Sequence, residues 1–333
     1  MRLAAQVVVA AVALLATGCT DAAPDPASTS PAPSPAVESP APSPEPTFDE
    51  VSLPAQFERP VQGGGLERVG PAEDRGAYTR QEVTYRSDET TVSGVLFEPA
   101  GGGPFPAVVL NHGYIDPAVY VTGQGMAREQ DFLAREGWVV LHTDYRGHAG
   151  SDRAGPLEHD LRLGYARDAL AAAKTLRELD GVDADRVAMF GRSMGGGVTL
   201  NALVMEPGVV DAAVVHASVS SDFLDNQRQF TEPNRPERVE AVRERWGSPE
   251  ESPDFYADLS SRTYADRVEA PVLMIHGALD DTCPLDWARE TEQVFTDDGA
   301  DVTLRVYDRE GHTFDADWPD AMRRTLAFLE DRT

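Results

Sequence analysis

The sequence predicts an α/β domain in which a mostly parallel central sheet carries helices on both faces. Short, continuously apolar runs recur from residue 107 onward, as expected for strands that are buried on both sides. Patterns typical of helices lie between these runs, and such alternation is the signature of a parallel sheet. Before them, the runs 81–86 and 91–97 surround the polar turn 87–89 and indicate an antiparallel start.

The alternation continues to the end of the chain. The further segments that predict strands are 107–110, 138–141, 186–190, 212–215, 272–275 and 302–306. The segments that predict helices are about 125–135, 159–179, 194–205, 285–295 and 317–329. We therefore expect one folded domain over residues 78–333. Residues 217–262 interrupt the alternation, are polar and include several prolines, and we expect this insertion to form a short cap, since long insertions are usually functional.

The first residues have the pattern of an export signal. After Met1-Arg2, residues 3–15 are apolar except for Gln6, a run too short to span a bilayer. The run ends in Leu15-Ala16-Thr17-Gly18-Cys19, which resembles a bacterial lipobox, although Ala16 stands where Leu is usual. We predict a lipoprotein signal peptide over 1–18 and a lipid anchor on Cys19. The protein would then be extracytoplasmic and attached to the bacterial cell membrane; a plain secretory signal is the alternative.

A tether is predicted to follow the lipidated cysteine. Residues 19–47 are rich in Pro, Ser and Ala, and the hexapeptide 30–35 recurs as 39–44. Such a stretch has nothing to bury and favours extended polyproline II, which makes a semi-rigid spacer. Residues 48–77 are a transitional segment with a break at three consecutive glycines, 63–65.

Charge and cysteine content exclude several kinds of function. With 56 acidic and 29 basic residues, the chain has a formal net charge of −27. Such a surface repels phosphate backbones and anionic lipid headgroups, so we expect no nucleic-acid partner. Cys19 and Cys283 are the only cysteines, so the folded domain cannot hold a disulfide. His and Cys residues do not cluster with the spacing of metal ligands, and we expect neither a metal nor a cofactor.

A candidate nucleophile lies in Gly191-Arg192-Ser193-Met194-Gly195, which matches G-x-S-x-G. A five-residue apolar strand precedes it and a helical pattern follows, which is the context that this motif requires. The tight turn exposes the serine hydroxyl to a base, and glycines flank it because a Cβ would collide with neighbouring backbone. The backbone N–H of Met194, at the start of the helix, is expected to face the developing oxyanion.

The base and the acid should follow Ser193 in that fold, with the acid first. His312 lies after the last predicted strand and before the last helix, where an imidazole can reach the serine. The competing histidines come too early in the chain: His142, His148, His159, His216 and His276. Asp280 follows the strand 272–275 and is our candidate acid, with the adjacent Asp281 as its competitor.

A second oxyanion donor should come from the loop after the first parallel strand. Asn111-His112-Gly113-Tyr114 follows the run 107–110, as expected for such a loop. The backbone N–H of Tyr114 is the expected donor and that of Gly113 is the alternative. The side chain of His112 is expected to order the loop.

Together these residues resemble the catalytic domain of the prolyl oligopeptidase (S9) family and its single-domain esterase relatives, which implies the α/β-hydrolase fold from about Tyr85 to Leu329. The similarity rests on the elbow 191–197, on Asp144-Tyr145-Arg146-Gly147 with Gly150, and on a third set of motifs: Trp246-Gly247-Ser248-Pro249 through Tyr256, Pro271-Val272-Leu273, His276-Gly277-x-x-Asp280-x-x-Cys283-Pro284 and Gly311-His312. In the family the first Asp of H-G-x-x-D is the triad acid, so the resemblance implies Asp280. Cys283 stands where Val is usual.

Two departures from the family narrow the expected activity. Its peptidases commonly carry a β-propeller before the hydrolase domain, for which residues 48–77 leave no room, and no Glu-Glu-type element for a peptide N-terminus is present. The resemblance therefore implies a serine hydrolase that cleaves an ester or amide of a small molecule or short peptide through an acyl-enzyme. The alternatives are a carboxylesterase without peptidase activity and a non-catalytic lipoprotein that binds a ligand.

Overall fold

The computed structural model of the chain describes residues 51–155 and 161–333. The predicted signal peptide, the lipidation site Cys19 and the Pro-rich tether lie outside these residues, and so does His159. Within the two ranges, no helix is both long enough and apolar enough to cross a membrane.

Nine strands of the described residues form one sheet in the order β1-β2-β3-β5-β4-β6-β7-β8-β9. Their bounds are β1 (Glu67–Asp74), β2 (Tyr78–Ser87), β3 (Thr90–Pro99), β4 (Phe105–Asn111), β5 (Val139–Thr143), β6 (Val182–Arg192), β7 (Ala212–His216), β8 (Val272–Gly277) and β9 (Val302–Tyr307). The pairs β1–β2, β2–β3 and β3–β5 are antiparallel. The pairs β4–β5, β4–β6, β6–β7, β7–β8 and β8–β9 are parallel. The predicted mostly parallel sheet with an antiparallel start is confirmed.

Helices connect most of the parallel strands. Their bounds are α1 (Pro54–Phe57), α2 (Ala127–Arg135), α3 (Leu163–Arg177), α4 (Met194–Met205), α5 (Phe223–Asn226), α6 (Pro236–Trp246), α7 (Pro253–Ala257), α8 (Leu285–Asp297) and α9 (Trp318–Arg332). A π-helix, Gln227–Thr231, follows α5, and a 3₁₀ helix, Ser261–Arg267, follows α7.

Strand β4 illustrates how the sheet divides the core. Ala107 and Val109 belong to a cluster that contains residues of α3, α4 and α8, whereas Val108 and Leu110 belong to a second cluster with residues of α2 and α9. All four side chains are fully buried, which is why this run shows no alternation of polar and apolar residues. Helices therefore cover both faces of the sheet, as predicted.

The folded part begins before residue 78, the start predicted from the sequence. Strand β1 pairs with β2, and helix α1 lies earlier still. Leu53 is fully buried in the core, and its amide donates to the carbonyl oxygen of Asp258 at 2.9 Å. The prediction of a transitional segment over 48–77 was therefore wrong for its described part. Every residue of β1 is exposed, so this edge strand lacks the apolar pattern by which strands are recognised.

The insertion between β7 and β8 is mainly helical. It contains α5, the π-helix, α6 and α7 within the predicted range 217–262, and the 3₁₀ helix extends it to Arg267. Prolines stand in the first turns of α6 and α7, where the missing N–H costs no helical hydrogen bond. Two of the four prolines that interrupt the strand-helix pattern in the sequence, Pro236 and Pro253, thus begin helices of the cap.

Candidate active site

The candidate site residues follow the carboxyl ends of four parallel strands. Ser193 follows β6, and Gly113 and Tyr114 lie in the loop after β4. Asp280 follows β8, and His312 follows β9. Because the carboxyl ends of parallel strands meet at one edge of a sheet, residues far apart in the sequence come together there.

The turn at Ser193 holds the serine in a backbone conformation that L-residues rarely adopt. Its φ is 56° and its ψ is −120°, and its amide donates to the carbonyl oxygen of His216 at 3.0 Å. A Cβ on Gly195 would overlap the carbonyl oxygen of Asn111, and one on Gly191 would overlap the carbonyl oxygen of Gly195. Both glycines are therefore needed for the close approach of strand, turn and helix.

Ser193, His312 and Asp280 form a continuous row of hydrogen bonds. Nε2 of His312 lies 3.0 Å from the hydroxyl oxygen of Ser193, and Nδ1 of the same ring lies 2.9 Å from Oδ2 of Asp280. The neighbouring Asp281 is exposed and contacts the hydroxyl of Thr282 at 3.4 Å. Of the two carboxylates that the sequence leaves open, the structure brings Asp280 to the imidazole.

The Asp280 carboxylate is buried among hydrogen-bond donors. Its Oδ1 accepts from the amides of Thr282 at 3.0 Å and Cys283 at 2.8 Å, and its Oδ2 lies 3.3 Å from Nε2 of His276. Burial by itself raises the pKa of Asp280, but the hydrogen bonds from His276, His312 and the Cys283 amide outweigh it and hold the pKa well below its ordinary value. The carboxylate is thus ionised at neutral pH and can only accept, so Nδ1 of His312 donates to it, and in the neutral form of that ring Nε2 is the acceptor.

The loop after β4 lies directly against the serine. A Cβ on Gly113 would lie 3.2 Å from the Cβ of Ser193, and Tyr114 lines the same cleft as the serine. Met194 begins α4 immediately after Ser193 and is buried. The structure therefore brings the predicted oxyanion donors Met194 and Tyr114 to one site, together with Gly113, the alternative to Tyr114.

A cleft of about 600 Å³ contains Ser193 and His312. Its other walls come from the loop after β4, the segment before α3, the beginning of α4, the cap and the loop after β8: Tyr114, Asp116, Arg162, Met194, Val219, Phe230, Asn234, Arg235 and Thr282. The sequence pointed to the cap as a whole but to none of its single residues that line the cleft. No spacing in the sequence signals them, because their place in the cleft depends on contacts between distant segments.

Two of the competing histidines have hydrogen-bond partners other than Ser193. Nε2 of His216 lies 2.9 Å from the hydroxyl of Thr325, and Nε2 of His276 lies 2.8 Å from the carbonyl oxygen of Cys283. Burial lowers the pKa of His142 and of His216 to about 3. Both rings are therefore neutral at physiological pH.

Cys283 is a free thiol that is fully buried. Burial raises its pKa well above the ordinary value, so it behaves as a small neutral side chain. Across residues 51–155 and 161–333, no group of three or more His, Cys, Asp or Glu side chains is arranged to hold a metal ion.

Comparison with protein families and with other protein sequences identifies relatives of the chain. The model of the prolyl oligopeptidase family, Peptidase_S9, matches residues 125–333, a range that includes Ser193, Asp280 and His312. The chain is also 28% identical over 200 residues to a Bacillus subtilis (strain 168) protein named uncharacterized peptidase YtmA. That match covers 60% of this chain and 72% of the relative.

Solved structures show the same fold. Acetyl xylan esterase 1 from Thermoanaerobacterium sp. JW/SL YS485 matches with a TM-score of 0.64 at 19% identity, over 85% of this chain and 95% of the esterase. The acylaminoacyl peptidase of Pyrococcus horikoshii matches with a TM-score of 0.61 at 22% identity, over 77% of this chain and 42% of the peptidase. At these identities the likeness shows the α/β-hydrolase fold alone, and the chain spans less than half the length of the peptidase.

Proposed function

Because this chain belongs to the prolyl oligopeptidase family and is a serine hydrolase, either a peptidase or an esterase, we propose that Ser193 is its nucleophile and that His312 and Asp280 complete a catalytic triad. The observation that carries the proposal is the hydrogen-bonded row from Ser193 through His312 to Asp280 at the strained turn. A positive φ at a serine costs stability, and strained backbone of this kind concentrates at functional sites.

In the proposed reaction, the hydroxyl oxygen of Ser193 attacks the carbonyl carbon of an ester or amide while Nε2 of His312 takes the hydroxyl proton. The backbone N–H groups of Met194 and Tyr114 stabilise the resulting oxyanion. As the tetrahedral intermediate collapses, His312 gives the proton to the leaving group and an acyl-enzyme remains. Water activated by His312 then releases the acid. Asp280 stays ionised throughout and stabilises the imidazolium.

The nucleophile is tested by labelling the full-length chain with a fluorophosphonate, which reacts with activated serines. We expect one covalent adduct on the wild type and none on Ser193→Ala. A wild type that forms no adduct, or an adduct undiminished by the substitution, would refute the catalytic proposal. The first of these results would favour the alternative of a non-catalytic protein that binds a ligand.

The cleaved bond is proposed to be an ester or an amide. The nearly full-length match to an acetyl xylan esterase supports an ester, and the relative named as a peptidase supports an amide. Turnover of short-chain acyl esters compared with aminoacyl and prolyl anilides separates the two. Ester turnover alone would favour a carboxylesterase without peptidase activity, and anilide turnover would favour a peptidase.

The proposal includes extracytoplasmic attachment to the bacterial membrane through a lipid on Cys19. The pattern Leu15-Ala16-Thr17-Gly18-Cys19 and the Pro-rich residues that follow it support this anchor. We expect Cys19→Ala to move the protein from the membrane fraction to the soluble fraction. Unchanged membrane association of the variant would refute the anchor and leave the catalytic proposal untouched.

A further inference from the structure

A fully buried carboxylate, Asp144, joins the sheet to the loop 112–126. Its Oδ1 accepts from the hydroxyl of Tyr120 at 2.7 Å and from the amide of Gly123 at 2.8 Å. Its Oδ2 accepts from the hydroxyl of Ser93 on strand β3 at 2.7 Å. The Asp144 side chain is 0% exposed. One carboxylate thus receives two donors from the loop and one from the sheet, and the loss of any of them would remove a hydrogen bond from a buried charge.

The tyrosine that contacts Asp144 also packs on the histidine at the start of the loop. The ring of His112 stacks on that of Tyr120, with centroids 4.7 Å apart at an angle of 23°, and lies 4.5 Å from the ring of Tyr145. Burial lowers the pKa of His112 to about 3, so the ring is neutral. Its Nδ1 lies 2.6 Å from the carbonyl oxygen of Gly113, and this geometry requires a proton on Nδ1 that is donated to that carbonyl.

The far end of the loop is held as well. The buried side-chain amide of Gln130, on α2, donates to the carbonyl oxygens of Gly123 at 3.0 Å and Gly125 at 2.8 Å. The segment between these anchors and His112 contains Tyr114. Tyr114 thus lies between Gly113, which packs against Ser193, and the part of the loop that Asp144 holds.

We propose that Asp144 is a positioning residue for the oxyanion hole. By holding Tyr120 and Gly123, it keeps His112 stacked and the peptide between Gly113 and Tyr114 directed at the reacting carbonyl. This inference rests on the proposed function, because it assigns Asp144 a task in the acyl transfer at Ser193. Oxyanion donors act mainly in the transition state, and a small displacement of such a donor lowers the rate strongly.

The test is Tyr120→Phe, which removes one donor to Asp144 and keeps the aromatic ring that stacks on His112. On an ester substrate we expect kcat to fall about tenfold with little change in KM, since the displaced group contributes mainly in the transition state. We also expect a trifluoromethyl ketone, which forms a tetrahedral adduct with the serine, to bind about tenfold more weakly. If the Tyr120 hydroxyl had only a structural role, its removal would lower thermal stability without lowering both kcat and the affinity for the ketone.

The matched control is Tyr78→Phe. The hydroxyl of Tyr78 donates to the carboxylate of Asp131 at 2.6 Å, a bond of the same kind between β2 and α2. We expect wild-type kcat and wild-type affinity for the ketone from this variant. An equal loss of kcat in both variants would overturn the proposal, because the effect would then not be specific to the loop.

Substitution of the carboxylate itself supplies a second test. Asp144→Asn keeps an acceptor for Tyr120 and Gly123, and its amide can donate to the hydroxyl of Ser93, so it should retain more activity than Asp144→Ala. A Tyr120→Phe enzyme with wild-type kcat and ketone affinity, or one whose loss lies in KM alone, would overturn the inference while leaving the proposed function intact. A wild type without any hydrolytic activity would instead overturn the proposed function together with the inference.

Discussion

Nε2 of His276 lies 3.3 Å from Oδ2 of Asp280, the carboxylate oxygen that also faces His312. Two imidazoles therefore meet one carboxylate. Strand β8 ends at Gly277, and the turn that follows returns Asp280 to the ring of His276. The H-G-x-x-D spacing thus places a second ring beside the proposed triad acid and helps to keep it ionised.

We expect Asp280→Asn to lower kcat about 10³- to 10⁴-fold, because an amide cannot hold the proton on Nδ1 of His312 or stabilise the imidazolium. Steady-state hydrolysis of an acyl ester measures this effect. The adjacent Asp281→Asn is the matched control, since Asp281 is exposed, and it should retain wild-type kcat. Comparable losses in the two variants would contradict the assignment of Asp280 as the acid.

The depressed pKa of Asp280 predicts how stability changes in acid. Because the folded-state pKa lies below the unfolded value of about 3.9, the ionised carboxylate stabilises the fold above about pH 4, and this contribution is lost as the pH falls below that value. Asp280→Asn lacks this titration. Urea unfolding at pH 5 and at pH 3 should show a larger loss of unfolding free energy for the wild type than for the variant. Equal losses would show that the pKa of Asp280 is not depressed.

Gly195→Ala should destabilise the fold and abolish activity. The new Cβ would overlap the carbonyl oxygen of Asn111, and backbone cannot move aside as a flexible side chain can. Overpacking of this kind costs on the order of 1–3 kcal/mol. The control is Gly102→Ala, whose Cβ would have no atom within 4 Å and should change stability by less than about 0.5 kcal/mol. Thermal unfolding compares the two, and an unaffected Gly195→Ala enzyme would contradict the geometry of the turn.

Glu310 is predicted to support the loop that carries His312. It is buried, and its two carboxylate oxygens accept from the amides of Asp315 at 2.9 Å and Asp317 at 2.6 Å. In Glu310→Gln one oxygen becomes an NH₂ group that faces an amide donor, so we expect a loss of about 1–3 kcal/mol in stability and a lower kcat. Glu330→Gln, at an exposed position of α9, should change neither. Chemical denaturation and ester hydrolysis compare the two variants. A Glu310→Gln variant with the stability and kcat of the wild type would refute the supporting role of Glu310.

Several of the strands that sequence patterns located are buried on both faces, as β5, β7 and β8 are. In β4, Ala107 to Leu110 are all buried, so a continuous apolar run marks the strand. Strand β1 escaped prediction because all its residues are exposed and its pairing with β2 is made by the backbone. The apolar anchor Leu53 escaped for a related reason, since a single buried leucine produces no periodicity.

Only part of the candidate site could be predicted from sequence patterns. Ser193 and His312 carry local signals, a motif after a strand and a loop position before the last helix. Asp144 carries no local signal for its contacts, and the H-G-x-x-D spacing of His276 does not by itself show that the ring reaches Asp280. The contact of His276 depends on the tight turn after β8, and the contacts of Asp144 depend on a loop that folds back onto the sheet.

The amino-acid sequence by itself determined the alternation of strands and helices and the glycine-flanked turn at Ser193, because both follow from neighbours along the chain. Only the tertiary structure decided that Asp280 and not Asp281 faces His312. It also decided that Asp144 accepts hydrogen bonds from the hydroxyl of Tyr120 and the amide of Gly123. The physical reason is that hydrogen bonds between distant segments form where the sheet brings their loops together, and a shift of one residue turns a side chain from the interior to solvent.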